Sequence, residues 1–415
     1  MKNKFPIFKN HPDLVYLDSA STTQRLKSVI QAEMDFYERY NANIHRGIYP
    51  IAVASTDAYE GVRKTIQTFV NASFTHEIIF TSGCTEGVNL VAQSFVLPQI
   101  TEGDNVVISA MEHHANLIPW QQVCLLKKAE LRVIPMNYEG VLELDNLSKL
   151  LDNKTKIVAV THISNTLGTI NPIKKIIKKA HKQNIPVLID AAQSLTTHKM
   201  DVQKLDADFL VFSGHKLFGP TGVGILFGKE KYLNAMPPYK FGGDMIRDVT
   251  FEKTIFAPLP NKFEAGTPNI AGVIGLGKAI DFIEKVGQNK IKKHVEKLLI
   301  YATNKLKQIE NLEIIGNAPE KSGIISFILR GVHPHDVATI LAANGVAIRS
   351  GHHCTQPIMD FYVIAGTNRV SFSIYNTLED INKLIEAIKE VMKIFKALVV
   401  LADLLRKLTV FQRVF

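Results

Sequence analysis

Short apolar runs that alternate with helical segments in the middle of the chain most constrain its fold. These runs are predicted to be β-strands: Val106–Ile108, Leu131–Pro135, Ile157–Val160, Val187–Ile189, Phe209–Phe212 and Val223–Phe227. Between several of them apolar residues recur at helical spacing, as in Pro172–Gln183, which places lysines on one face and isoleucines on the other. Strands that are apolar throughout are buried on both faces. The pattern therefore predicts an α/β fold with a mostly parallel sheet between helices.

After about Phe256 the pattern changes to a mixture typical of a smaller α+β domain. A long helical stretch is predicted from about Ala271 to Leu312, with a break near Gly287. It is followed by predicted strands at Ile324–Leu329 and Val370–Ile374, a helix at His335–Ala343 and a long helix from about Leu378. We expect an N-terminal segment, residues 1–50, that packs on the small domain, a large domain over residues 51–256 and the small domain over residues 257–415.

Composition excludes several classes of protein. The chain has 415 residues, of which 46% are hydrophobic and 21% charged, which is ordinary for a globular protein. The 48 Lys+Arg and 39 Asp+Glu leave a net charge of +9, but no zinc-finger spacing, RNP pattern or basic zipper accompanies it, so no nucleic-acid partner is expected. Three cysteines cannot form a disulfide framework, which favours a reducing, cytoplasmic location.

Neither end of the chain is predicted to span a membrane. The N-terminal residues lack the apolar core of a secretory signal. No apolar run approaches the ~20 residues that cross a bilayer. The tail, Lys393–Phe415, is a basic amphipathic stretch. Its role stays open between docking on the protein's own core and binding a membrane surface or a partner helix.

Thr81–Gly87 is a candidate phosphate-binding turn. It follows the apolar run Ile78–Phe80 and precedes a helical segment. Free backbone N–H groups and the helix dipole would then point at one place, which suits a phosphate. The hydroxyls of Ser82 and Thr85 could add donors. A plain helix cap explains the turn equally well, because neither the Walker A pattern nor the dinucleotide pattern is present.

Asp190 and Lys216 each follow a predicted buried strand, where ligands bind in α/β sheets. Asp190 could be a buried carboxylate that binds a cation, or a helix N-cap. Lys216 lies in a glycine-rich loop, and a desolvated amine there can attack a carbonyl and form a Schiff base. Ser213 and His215 beside it could donate to the same phosphate. This is the most specific short segment in the chain.

Two further segments contain histidines. Cys354, in Arg349–Cys354, is a candidate reactive thiol because nearby imidazoles can favour the thiolate. Metal binding by His352, His353 and Cys354 is the alternative, but adjacent residues rarely converge on one ion, so no metal is predicted. In Met111–Asn116, just after another strand, an imidazole could stack on a planar cofactor, although a lone histidine is more often a satisfied polar residue. Together the segments offer what pyridoxal 5′-phosphate (PLP) needs: a phosphate cradle, a carboxylate, a lysine and a flat ring.

At these residues the sequence resembles the cysteine desulfurases, which belong to the class V aminotransferase group of PLP enzymes. The resemblance rests on motifs that occur in order from about Tyr16 to Asn376: MEHHAN, HISNTLGT, DAAQS, SGHKLFGPTGVGILFG, KFEAGTPN and RSGHHC. It is closest to the Suf-type branch (group II), which includes selenocysteine lyase-like enzymes. It implies a homodimer with the PLP-dependent transferase fold (aspartate aminotransferase-like, fold type I), built on a seven-stranded sheet.

The resemblance also implies roles around the cofactor. Lys216 would bind PLP covalently, Asp190 would pair with the ring nitrogen and Gln193 would bond the ring oxygen. His113 would stack on the ring. The phosphate would be bound by Thr85, Ser213, His215 and Thr267 of the partner subunit, with Cys84 standing where Thr or Ser is usual. That replacement is expected to remove one hydroxyl contact.

The remaining implied roles concern the substrate. Arg369 would bind its α-carboxylate, a planar task that suits a guanidinium, with Asn165 assisting. Cys354, in the loop 349–357, would accept the sulfur. Arg349 would order that loop, and His45 and Arg46 would line the site. Ser21 and Gln24 depart from the pattern, since Ala and then Lys-Pro are more usual in this stretch, and are interpreted as tolerated changes.

The implied reaction removes sulfur from L-cysteine. It gives L-alanine and a persulfide on Cys354, which passes to an acceptor protein of the SufE/SufU type for iron–sulfur cluster assembly. Two related alternatives stay open: selenocysteine lyase as the main activity, and a class V aminotransferase or lyase that does not use Cys354. A non-catalytic protein that binds RNA or sulfur-relay partners is the alternative from a different class.

Overall fold

The computed structural model describes the backbone of residues 1–411 and the side chains of residues 1–397. Its strands are β1 (Val15–Tyr16), β2 (Ile78–Thr81), β3 (Asn105–Ser109), β4 (Glu130–Ile134), β5 (Thr155–Thr161), β6 (Val187–Asp190), β7 (Phe209–Ser213), β8 (Gly224–Gly228), β9 (Ile246–Val249), β10 (Thr254–Phe256), β11 (Leu312–Ile315), β12 (Ile324–Leu329), β13 (Val346–Ala347), β14 (Arg349–Gly351) and β15 (Thr367–Ser371). The last part of the predicted tail lies outside the described residues.

The helices surround these strands. They are α1 (Ile7–Asn10), α2 (Lys27–Arg39), α3 (Pro50–Val70), α4 (Cys84–Val91), α5 (Ile118–Lys127), α6 (Leu147–Leu150), α7 (Ile173–His181), α8 (Val202–Leu205), α9 (Glu230–Ala235), α10 (Ile270–Val286), α11 (Gln288–Leu306), α12 (Pro334–Ala343), α13 (Gln356–Tyr362) and α14 (Leu378–Phe411). Within residues 1–411, no helix is both long and apolar enough to cross a membrane.

A seven-stranded sheet in the order β2-β8-β7-β6-β5-β3-β4 carries the site. Neighbouring strands are parallel except where β8 pairs with β2 and β7. Successive residues of a strand point to opposite faces, and so Leu188 and Ile189 belong to two different hydrophobic cores, both fully buried. This confirms the predicted mostly parallel sheet with helices on both faces.

A second, antiparallel sheet in the order β11-β12-β15-β14 lies in the C-terminal part of the chain. The predicted helix break is confirmed at Gly287, whose φ of +88° separates α10 from α11. The predicted helix end at Leu312 is wrong, because Leu312 begins β11 and pairs with Leu329. The strand predicted at Val370–Ile374 begins earlier, at Thr367, and ends earlier, at Ser371; its polar residues Asn368 and Arg369 are buried.

The N-terminal segment crosses to this second sheet. β1 pairs in parallel with β13, and the Ser371 backbone N–H donates to Leu17 O at 2.7 Å. The Lys2 ammonium lies 2.7 Å from an Asp380 carboxylate oxygen near the start of α14. These contacts bring Asp18 and Ser21 next to β15, which places them at the edge of the site described below. The division into three domains stays a prediction.

Candidate active site

The carboxyl ends of the central strands meet around one cavity of about 220 Å³. His113 follows β3, Asn165 follows β5, Asp190 ends β6 and Lys216 follows β7. This is the edge at which parallel sheets bind ligands. All but three of the residues predicted for the site line the cavity: Cys84, Thr85, His113, Asn165, Asp190, Gln193, Ser213, His215, Lys216, Arg349, Cys354 and Arg369.

Lys216 lies in a short 3₁₀ turn directly after β7, with its amine inside the cavity. Burial lowers the pKa of Lys216, although the carboxylate of Asp190 acts in the opposite direction. Within the described residues the Lys216 amine accepts and donates no hydrogen bond. A lysine whose pKa falls is more often neutral, and a neutral amine is the form that attacks a carbonyl or removes a proton.

Asp190 is 4% exposed, and its Oδ1 accepts hydrogen bonds from the Ala192 N–H at 2.9 Å and the Cys84 thiol at 3.4 Å. Burial raises the pKa of Asp190, while the charge of Lys216 lowers it. Burial likewise raises the pKa of Cys84 well above that of a free thiol. Cys84 is therefore a neutral thiol that donates to Asp190. The sequence placed Cys84 beside the phosphate but did not predict this hydrogen bond.

The turn between β2 and α4 has the form of an anion cradle. Helix α4 begins at Cys84 without a side-chain cap, and among the described residues the N–H groups of Thr85 and Glu86 in its first turn have no partner, so they are free for a ligand. Cys84 N–H donates to Ser213 Oγ at 2.8 Å, which ties this turn to the end of β7. Thr85 and His215 line the same cavity, and burial lowers the pKa of His215 to about 4. These donors fit a phosphate group.

His113 is held as a neutral ring. Its Nδ1 accepts the Ala115 N–H at 3.0 Å, which assigns its proton to Nε2, and burial lowers its pKa to about 3. The preceding carboxyl group, Glu112, is buried and accepts hydrogen bonds from Thr161 N–H at 2.9 Å and Asn116 Nδ2 at 2.6 Å. Burial raises the pKa of Glu112 to about 8. A flat neutral ring at this place suits stacking on a planar cofactor.

Cys354 reaches the cavity from a loop between β14 and α13. His353 and Cys354 have φ values of +54° and +57°, a left-handed conformation that residues other than glycine adopt only when their surroundings impose it. Hydrogen bonds to residues that follow β3 and β5 impose this backbone conformation on the loop. Cys354 O accepts the His114 N–H at 2.7 Å, His353 O accepts Asn165 Nδ2 at 2.8 Å, and the hydroxyls of Thr166 and Thr355 lie 2.7 Å apart.

The two histidines of this loop bind different backbone segments. His352 Nε2 lies 3.1 Å from Ala365 O, whereas His353 Nε2 lies 2.8 Å from Thr367 Oγ1. In the part of the chain that the structure describes, no group of three or more His, Cys, Asp and Glu residues could hold a metal ion. The geometry therefore gives no support to the metal alternative for residues 352–354.

Arg369 lies on β15 with only 2% of the residue exposed. Its Nη1 donates to Asn165 O at 3.0 Å, and its Nη2 donates to Asp18 Oδ1 at 3.0 Å and Ser21 Oγ at 2.9 Å. A buried guanidinium needs a nearby carboxylate to offset its desolvation, and Asp18 supplies it. Asp18 and Ser21 were not predicted as site residues. A buried arginine predicts an acidic partner, but no pattern in the sequence identifies Asp18 as that partner.

Three predicted residues lie outside this cavity: His45, Arg46 and Thr267. His45 Nε2 lies 3.0 Å from Glu60 Oε1, and Arg46 Nε lies 3.0 Å from Asp244 Oδ1. Thr267 Oγ1 accepts Asn43 Nδ2 at 3.3 Å. They therefore form a separate group at the surface of the same chain, and their roles stay predictions.

Comparison with known proteins shows the family of the chain. Residues 15–384 match the family model described as Aminotransferase class-V. A probable cysteine desulfurase from Halalkalibacterium halodurans is 47% identical over 95% of this chain and 98% of its own length. A cysteine desulfurase from Cronobacter sakazakii is 45% identical over 93% of this chain and 96% of its own length.

Solved structures show the same fold. An Escherichia coli cysteine desulfurase superposes with a TM-score of 0.89 at 35% identity, over 95% of this chain and 98% of that one. A cysteine desulfurase from Thermococcus onnurineus gives a TM-score of 0.91 at 37% identity, over 94% of this chain and 97% of that one. The chain belongs to the class V aminotransferase family, in its cysteine desulfurase branch.

Proposed function

We propose that this chain is a cysteine desulfurase that binds PLP at Lys216 and takes the sulfur of L-cysteine onto Cys354. One observation carries the proposal: a partly buried lysine, a buried carboxylate and a free thiol line the same cavity. The lysine and the carboxylate are groups that hold PLP, whereas the thiol has no task in an ordinary aminotransferase.

The residues present fit PLP. The N–H groups at the start of α4, with Thr85, Ser213 and His215, suit its phosphate, and Asp190 suits the ring nitrogen. The Cys84 thiol and the Ala192 N–H donate to Asp190 and support its charged form. When bound, PLP supplies the electron sink that lets bonds at the α-carbon of an amino acid break.

Arg369 and Asn165 are the proposed substrate-binding residues. A guanidinium presents parallel N–H donors that match both oxygens of a carboxylate. Arg369 is fixed by the carbonyl of Asn165 on one side and by Asp18 on the other, so little conformational entropy is left to lose when the substrate binds. Binding at Arg369 would orient the amino group and the sulfur within the same cavity.

The chemical steps fall to Lys216 and Cys354. The Lys216 amine, made more often neutral by burial, removes the α-proton and later returns a proton to the carbon skeleton. The Cys354 thiolate attacks the substrate sulfur, so that an S–S bond forms as the C–S bond breaks. L-Cysteine and a thiol thus become L-alanine and a persulfide, and the exchange balances without an added oxidant.

A homodimer accounts for the three predicted residues outside the cavity. Thr267 and the group around His45 are exposed, and so are the apolar side chains that follow His45 and Arg46 in the chain, Ile48 and Tyr49, with Ile48 95% exposed. Large apolar side chains grouped at the surface favour a protein interface. We infer that this surface meets a second copy, and that Thr267 of the partner subunit completes the phosphate site.

We further propose that the sulfur passes from Cys354 to a second protein. Cys354 is partly exposed, so a persulfide there would be accessible to an acceptor protein of the SufE/SufU type, for iron–sulfur cluster assembly. A cytoplasmic location agrees with the three free thiols, because a disulfide at Cys354 would block the nucleophile.

The test measures L-alanine released from L-cysteine in the presence of a reducing agent. The wild type and Cys124→Ala should release it, because Cys124 is buried in packing, whereas Cys354→Ala should not. Failure of the wild type to produce L-alanine would contradict the proposal. Selenocysteine gives a second readout: a Cys354→Ala variant that is inactive on cysteine but active on selenocysteine leaves selenocysteine lyase as a competing main activity.

A further inference from the structure

The hydroxyl of Ser21 lies where the two arginines of the site meet. Arg349 Nη1 donates to Ser21 Oγ at 2.7 Å, and Arg369 Nη2 donates to the same oxygen at 2.9 Å. Asp18 Oδ1 lies 2.8 Å from Ser21 Oγ. One hydroxyl therefore contacts both guanidinium groups and the carboxylate that neutralises one of them.

The chemistry of these groups fixes the direction of each hydrogen bond. Guanidinium groups only donate, and an ionised carboxylate only accepts. Ser21 Oγ must therefore accept from Arg349 and Arg369 with its two lone pairs and donate its single proton to Asp18. Every hydrogen-bonding position of the hydroxyl is used, so a side chain without a hydroxyl cannot replace these contacts.

Each arginine depends on this oxygen. Among the described residues, Ser21 is the only hydrogen-bond partner of the Arg349 guanidinium. Arg349 begins β14, the strand that leads into the Cys354 loop. Arg369 Nη2 is shared between Ser21 and Asp18, so loss of the hydroxyl would leave Asp18 alone to direct that nitrogen. The Nε of Arg369 is buried without a partner and cannot compensate.

We propose that Ser21 is a positioning residue that holds Arg369 and Arg349 in place for the α-carboxylate of the substrate. This rests on the proposed function, because it assigns the carboxylate to Arg369. Ser21 makes the cations converge by placing an acceptor oxygen between them, and Asp18 orients that oxygen. Without the hydroxyl, Arg369 turns towards Asp18 and Arg349 loses its anchor, so the carboxylate meets a less ordered pair of donors.

The test compares two ligands that differ only by a carboxylate. L-Alanine carries the α-carboxylate and ethylamine lacks it, and both can be titrated into PLP-loaded protein and followed by the absorbance of the cofactor. A hydrogen bond to a charged group is worth enough that Ser21→Ala should weaken L-alanine binding roughly tenfold. The affinity for ethylamine should change by no more than about twofold, which is less than the loss of one such hydrogen bond would cause.

Kinetics provide a second readout. In Ser21→Ala the KM for L-cysteine should rise in parallel with the loss of L-alanine affinity, while kcat changes little. Ser21→Thr, which keeps the hydroxyl, should restore both values. The proposal is overturned if Ser21→Ala binds L-alanine as the wild type does, if both ligands weaken equally, or if Ser21→Thr does not restore binding.

These outcomes separate this proposal from the proposed function. A wild type that releases no L-alanine from L-cysteine contradicts the desulfurase activity itself. A wild type that is active, beside a Ser21→Ala variant with unchanged carboxylate affinity, contradicts only the role of Ser21.

Discussion

The two sides of the active site are supported in different ways. Asp190 ends β6 and Lys216 follows β7, and the residues of both strands are all buried within the seven-stranded sheet. Cys354 instead lies in a loop with left-handed backbone, held to the sheet side by a few hydrogen bonds from His114, Asn165 and Thr166. The first side is fixed by the core of the fold, and the second by contacts between separate elements.

This difference matches the proposed tasks. Groups that bind a cofactor have to stay in place through every step, and strand ends provide that rigidity. A sulfur carrier has to meet the substrate and then an acceptor protein, and so it belongs on a segment that can be displaced at low cost. Removing Lys216 should therefore abolish activity, whereas changes to the loop residues that surround Cys354, with Cys354 itself retained, should alter its reactivity in graded steps.

Lys216→Ala should give the largest effect, because Lys216 is the proposed point of covalent attachment. We expect L-alanine formation to fall by a factor on the order of 10³ or more, as when a catalytic nucleophile is removed. The visible absorbance band of bound PLP should also be lost from the purified protein. Lys262→Ala is a matched control, since Lys262 is a partly buried lysine that donates to backbone carbonyls away from the cavity. A Lys216→Ala variant that retains both the band and the activity would contradict the sheet-side assignment.

The three cysteines should differ strongly in alkylation. Cys354 is partly exposed, whereas Cys84 and Cys124 are buried, and burial raises the pKa of Cys124 to about 11. Since the thiolate is the reactive form, iodoacetamide at pH near 8 should label Cys354 roughly a hundredfold faster than either buried thiol. Peptide mass spectrometry over time measures the three rates. Equal rates would mean that the loop gives Cys354 no advantage in access.

Cys84→Ala should have a moderate effect through Asp190. It removes the thiol that donates to Asp190 Oδ1, a hydrogen bond worth about 1 kcal/mol. PLP affinity of the apoprotein, measured by titration, should fall about fivefold on that basis, and Cys84→Ser should recover most of it. If Cys84→Ala and Cys84→Ser have the same affinity for PLP, the thiol contributes only packing and no hydrogen bond.

Glu112→Gln should give the smallest effect, visible only as a pH dependence. Burial raises the pKa of Glu112 to about 8 from an ordinary value of 4.5, so the folded state keeps a proton that the unfolded state releases. The contribution of protonated Glu112 to the free energy of unfolding is complete below pH 4.5 and is lost as the pH rises through about 8. When the pH is raised from 5 to 8, the Tm of the wild type should therefore fall by a few degrees more than the Tm of Glu112→Gln.

The fluorescence of the single tryptophan can report the same titration of Glu112. Trp120 Nε1 donates to Asn116 Oδ1 at 3.0 Å, and the Asn116 amide in turn donates to Glu112. Its fluorescence in the folded protein should change near pH 8 in the wild type and not in Glu112→Gln. Curves that coincide for the two proteins would show that Glu112 does not titrate in this range.

The sheet side could be predicted from sequence, and the loop side only in part. Asp190 and Lys216 stand at the ends of apolar runs, so local pattern alone placed them at one edge. Cys354 was recognised from its motif, but its approach to the cavity depends on contacts with residues far away in the chain. Ser21 was interpreted as a tolerated change, because its hydrogen bonds exist only once the N-terminal segment meets β15.

The surface residues mark a different limit. The resemblance implies that Thr267 serves the phosphate site of the partner subunit and that His45 lines the site, and neither reaches the cavity of its own chain. No pattern of spacing or hydropathy distinguishes a residue that serves its own site from one that serves the site of a second copy. Such a distinction depends on the geometry of an assembly rather than on the preferences of single elements.

Cys354 is proposed to receive the sulfur of L-cysteine, and peptide mass spectrometry can detect that sulfur atom. The protein is loaded with PLP, incubated briefly with L-cysteine without a reducing agent, alkylated and analysed by peptide mass spectrometry. The account predicts one additional sulfur atom on the peptide that contains Cys354, lost on reduction, with none on the peptides of Cys84 or Cys124. L-Alanine release without any sulfur added at Cys354 would contradict it.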